Sequence, residues 1–129
     1  MLGVKSYPKA YVEACREKVD AQIAAYRAAP ASPELEPLFF NHMVLALDHY
    51  FVHRLRGVEK KDGNPLNETR VLCTSLMEHD GVMTADSTIT LDPAKSLLGY
   101  EYGDSIGLSV DDFALLSKAF LDEILIKYP

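Results

Sequence analysis

Between Ser32 and Val58 the chain carries a long helical pattern with almost no wet face. Ser32 followed by Pro33 reads as an N-cap with proline at the first helical position, where its missing N–H is not needed. At ~100° per residue, one direction collects Phe40, Met43, Leu47 and Phe51. The opposite direction collects Leu35, Leu38, Leu45, Ala46 and three histidines, His42, His49 and His53. Past the first turn, Asn41, Asp48 and Arg54 are its few polar interruptions before the last turn. A surface helix keeps one polar side. This pattern asks for cover on both, so the fold has to bring either the residue 82–108 segment or a second copy of the chain over it.

The remaining punctuation predicts three more helices. A pattern opening at Pro8 places Tyr11, Cys15, Val19, Ile23 and Tyr26 three or four residues apart, and it runs to about Ala29. Asn64-Pro65 repeats the cap-plus-proline signature after a loop at residues 60–63, and Gly81 closes that helix. Residues 82–108 are rich in Thr, Ser, Gly and Asp and hold two short β-like runs, Ser87 to Leu91 and Ser105 to Leu108. Ser109 with Asp112 has the form of a capping box and opens a last helix to about Lys127. The expected fold is mainly all-α: an up-down four-helix bundle with an irregular or short β-hairpin insertion before the last helix. A length of 129 residues suits one helical domain over residues 1–129, with a core that needs no disulfide or metal staple.

Charge narrows the partners. The net charge is −6, from 13 basic and 19 acidic residues, whereas phosphate backbones and anionic lipid surfaces call for a basic patch. Nucleic acid and membrane are therefore not expected partners. No apolar run approaches the ~20 residues that span a bilayer, and Met1 to Pro8 lacks the apolar stretch of a secretory signal. Cys15 and Cys73 fall on apolar helix faces, where a thiol acts as a small hydrophobe. A reduced, cytoplasmic protein is the expectation, and the sequon Asn67-Glu68-Thr69 then has no glycosylation machinery to meet.

The histidines are the chemical lead. On a continuous helix His49 and His53 lie one turn, ~6 Å, apart and can reach one ion, while His42 lies too far back to share it. Such a pair supplies two of the three or four ligands of a divalent transition metal: zinc, iron, manganese or nickel. Antiparallel packing about the loop near Lys61 places His79 beside His42, and the first helix brings Glu13 level with His49. Glu13 or His79 would complete the site. A metal-dependent hydrolase or transferase is the activity it would serve. The glutamate after the first histidine, general base of metalloprotease helices, is missing. A small-molecule pocket lined by His42, Tyr50 and the 82–108 segment is a further reading. Arg54, Arg56, Lys60 and Lys61 cluster where cations complement a helix C-terminus. The Lys61-Asp62-Gly63-Asn64 loop lacks the end carboxylates of a calcium loop.

The stretch from Phe40 through Leu55, followed by Asp62-Gly63-Asn64-Pro65-Leu66-Asn67-Glu68, resembles small bacterial proteins of unassigned function. DinB/YfiT-like bundles are the nearest functional analogy, because they hold a metal with histidines from different helices. The resemblance implies that His49 and His53 are its HxxxH element. The first helix has no histidine to serve as the third ligand, which leaves that set incomplete. The leading expectation is a non-enzymatic protein that works as a homodimer or with a protein partner through the second side of the Ser32–Val58 helix.

Overall fold

A computed structural model describes residues 3–129. Among them are five helices: α1 (Lys9–Ala28), α2 (Leu35–His49), α3 (Arg56–Glu59), α4 (Pro65–Glu78) and α5 (Val110–Lys127). The protein is mostly helical, and no helix among the described residues is long and apolar enough to cross a membrane.

Two caps lie where the sequence puts them. The Asn64 side-chain oxygen accepts from Leu66 N at 2.9 Å and Asn67 N at 3.1 Å, with Pro65 opening α4. Ser109 Oγ accepts from Asp112 N, and Asp112 Oδ2 accepts from Ser109 N, both at 3.1 Å. Each satisfies N–H groups that the first helical turn leaves without partners.

The second helix is shorter than its pattern. It stops at His49 instead of running to about Val58, and residues 50–55 form turns before α3. Tertiary demands override the periodicity there. Phe51 is fully buried, and the Arg54 guanidinium turns inward to donate to Phe51 O at 3.1 Å. The extended stretch beyond the turn pairs with the N-terminal segment, with Val4 N donating to His53 O at 2.8 Å and Leu55 N to Val4 O at 2.9 Å. Gly3 permits this approach, because a Cβ there would sit 2.7 Å from Leu55 Cα.

The packing centre is α5, which lies against α1, α4 and α2; α2 also packs on α4. An up-down order seats the first helix beside both the second and the last; here the main neighbour of α1 is the last helix. Buried Val12, Cys15, Val19 and Ile23 from α1 join Phe40, Val44 and Leu47 from α2 and Phe113, Leu116 and Phe120 from α5 in one core. Each such large side chain contributes about 1.5–3 kcal/mol on burial.

Residues 82–108 hold no strand. The expected hairpin is reduced to one antiparallel bridge, Val82 with Ser105, flanked by Met83 N to Asp104 O and Ile106 N to Gly81 O, both 2.8 Å. The loop between is held by side chains instead of a ladder. Glu68, buried on α4, accepts from Leu97 N at 2.8 Å and Leu98 N at 3.0 Å. Asn41 of α2 donates to Ile106 O and accepts from Leu108 N. The segment is therefore anchored at Asn41 and leaves the neighbouring Leu38 and His42 exposed.

Candidate functional site

The proposed metal ligands are dispersed. His49 is the last residue of α2, and His53 lies beyond the turn with its carbonyl bound to Val4, so they no longer share one helical face. Glu13 faces Arg16 on its own helix at 3.8 Å. His79 is the C-terminal cap residue of α4, exposed, with its N–H on Ser75 O. Cys73 Sγ lies 3.7 Å from Val44 O, which sets α4 against the middle of α2, not its end. Among the described residues no group of three or more His, Cys, Asp or Glu is arranged to hold a metal ion. His42 and Tyr50 also part company. His42 lines a groove on the α2–α4 side, while Tyr50 faces α1, with Lys18 Nζ 5.9 Å from its ring centre and Tyr11 donating to its carbonyl.

What the fold does assemble is a buried ionic knot. Glu59 of α3 is 1% exposed and meets two arginines: Arg54 Nε at 2.8 Å, and Arg70 Nη2 at 2.6 Å with Nε at 3.2 Å. Asn67 Nδ2 donates to its other oxygen at 2.8 Å. Asp48 Oδ1 lies 2.8 Å from Arg54 Nη2, an ion pair by distance although the two atoms are not aligned for a hydrogen bond. Lys127 of α5 donates to the Glu59 carbonyl at 2.8 Å and so caps α3. Burial alone would push the Glu59 carboxyl up, but the Arg70 hydrogen bond, both guanidinium charges and Asn67 together hold it below its ordinary value. Burial alone would lower Arg70, and Glu59 reverses that too, leaving it raised. Charge therefore stays on both partners. The sequence places Arg54 among the cations that complement a helix C-terminus; the fold uses it as a core ion.

Such a carboxylate resembles a general base only in its burial. Its oxygens are consumed by three side chains, and it lines none of the cavities described here. A nearby cavity of about 290 Å³ is walled by Gly3, Val52, His53, Arg54, Leu55 and Arg56, where the only buried ion, Arg54, is already committed inward. A wider cleft between α1 and α5 presents Arg16, Arg27 and Lys118, yet Asp122 and Asp111 neutralise all three at 2.8–2.9 Å. The first cavity offers only the exposed Arg56, 3.5 Å from Thr88 Oγ1, and the second has its three cations paired with carboxylates.

The remaining feature is apolar and open. Leu35, Leu38, His42, Leu45 and His49 line one direction of α2. Leu38 is 58% exposed, Leu35 51%, and Met77 of the adjoining α4 turn 69%. Between them run a groove of about 430 Å³, lined by Leu35, Leu38, Phe39, His42 and Met43, and a smaller one of about 140 Å³ shared with Leu76 and Met77. His42 borders both. Its Nδ1 lies 2.8 Å from Leu38 O, and because a carbonyl only accepts, Nδ1 is the donor in that contact.

Comparison with protein-family models, with curated proteins and with solved structures finds no match to this chain.

Proposed function

We propose that this protein acts by protein association, not catalysis, through the exposed stripe of α2 and the last turn of α4. The observation that carries this reading is the contiguous exposure of Leu35, Leu38 and Met77 around two grooves. Water-facing leucines are ordinary singly; several in one strip on the flank of a packed core are a feature of docking surfaces. Two supporting points come from elsewhere in the molecule. The strongest ionic cluster is turned into the core around Glu59 and serves the fold, and the α1–α5 cleft has its cations paired with carboxylates. The four long helices, read as a bundle, are then a rigid support for one recognition face. The two free buried cysteines suit a reducing compartment such as the cytoplasm.

Leu38→Asp and Met77→Asp test this. Both side chains lie largely in water, so the fold is expected to keep its melting temperature within a few degrees. At tens of micromolar the parent protein is expected to scatter light as more than 14.4 kDa, or to retain a partner protein from lysate, and both variants to lose that property. Monomeric protein with no partner lost by either variant overturns the reading.

A further inference from the structure

The stripe is polar along its length in a way that selects its occupant. Leu38 of α2 lies beside Met77 of α4, so the start of α2 and the end of α4 share one end of the face. That end carries the exposed carboxylates Glu34, Glu78 and Asp80. The other end carries the exposed groups His49, His53 and Arg56, the last two walling one cavity with Val52. With Glu34, Glu78 and Asp80 at one end, the Arg56 guanidinium at the other and apolar side chains between, this surface is complementary to itself when turned end for end. A two-fold axis performs that operation, and a parallel alignment would set like charges together.

Resting on the association reading above, we propose that a second copy of this chain covers the stripe, its α2 running antiparallel to the first across a two-fold axis at His42. Leu35 of each copy then faces His49 of the other, and Leu38 faces Ala46. The stripe from Leu35 to His49 is ~21 Å long at 1.5 Å per residue and one helix wide. That is a small patch beside the ~800 Å² per partner of a standard interface, so a micromolar dissociation constant is expected. The charged ends are exposed, hence the dimer weakens several-fold as salt rises from about 0.05 to 0.5 M.

Single cysteines at the stripe read the orientation, with the parent protein as control for the buried Cys15 and Cys73. Facing positions across a close helix pair come within the Cα separation a disulfide accepts. Under mild oxidation the His42→Cys variant is expected to form a covalent homodimer. Leu35→Cys alone is expected to stay monomeric, and a mixture of Leu35→Cys with His49→Cys to give the crossed dimer. Sedimentation should show Arg56→Glu weakening association at least threefold, with recovery when Glu34→Lys is added. Self-pairing of Leu35→Cys overturns the two-fold arrangement. A monomer at every concentration overturns the second copy as occupant, while a partner lost from Leu38→Asp in the preceding experiment would leave the docking face standing. A dimer indifferent to Leu38→Asp overturns both.

Discussion

Replacing Glu59 with glutamine keeps the size of the side chain and removes the charge on which two arginines depend. Arg54, with its side chain 1% exposed, would retain only Asp48 as a counter-ion, and Arg70 would lose both of its bonds to a carboxylate. Breaking a buried ion pair from one side costs about 3–5 kcal/mol, because an uncompensated charge stays in the interior. For a domain near this size each kcal/mol moves the melting point by roughly 3–5 °C, so Glu59→Gln should melt about 10–20 °C lower. Urea unfolding followed by circular dichroism, with m unchanged, gives the free-energy difference directly. The acid limb must agree. The carboxyl is held below its ordinary 4.5 in the folded state, so its contribution is complete above that pH and is lost as pH falls through the folded value. Glu59→Gln should therefore flatten the acid dependence of the parent protein. Arg27→Ala, which breaks the exposed Arg27–Asp111 pair, should cost under about 0.5 kcal/mol. A loss below about 1 kcal/mol for Glu59→Gln, or equal losses in the two variants, would refute the argument that the knot is a buried, charged unit.

Asn64→Ala removes the acceptor for two α4 amides and the donor to Glu59 O, and should cost at least about 1 kcal/mol by thermal unfolding. Tyr7 and Tyr128 are each raised, chiefly by burial, from 10.0 to about 12, so the folded state holds those protons more tightly than the unfolded chain. Stability should be full below pH 10 and fall as pH climbs from 10 to 12, with the tyrosinate absorbance appearing together with unfolding. Elemental analysis of the parent protein and of the His49→Ala, His53→Ala variant should return the same substoichiometric metal content. One equivalent of zinc, iron, manganese or nickel in the parent alone would show that the two side chains do converge.

Where the sequence speaks through local chemistry, it is legible. Asn64-Pro65 and the Ser109–Asp112 box mark α4 and α5 because a cap is decided by its own few residues. The spacing of Val19 and Ile23 marks the inner face of α1 for the same reason. The end of α2 is not local. Its periodicity continues past His49, but Phe51 and Arg54 gain more from a turn that buries them against α5 and α3 than from another helical turn. That one departure takes His53 off the helical face that His49 occupies. The ionic knot was invisible for a related reason: Asp48, Arg54, Glu59 and Arg70 have no motif spacing, and only the α2–α3–α4 path brings them together. The open stripe of α2 was half readable. Its apolar residues and histidines share one direction in the sequence, yet which side the 82–108 segment covers depends on Asn41 and Glu68 as anchors.

The position of α5 as the packing centre also bears on how the chain is made. Ribosomal synthesis delivers residues in order, at about 5–20 per second. When α4 emerges, α1, α2 and α4 each present an apolar flank whose shared counterpart, residues 110–127, does not yet exist. Synthesis of residues 79–127 then takes seconds, far longer than helix formation in microseconds. For that interval the nascent chain is a set of formed or fluctuating helices without a closed core. Closure waits for Phe113, Phe120 and Ile124, and the Lys127 bond to Glu59 forms only after both α3 and α5 are made. The core closes only once α5 is made, and until then the apolar flanks of α1, α2 and α4 lack their shared cover.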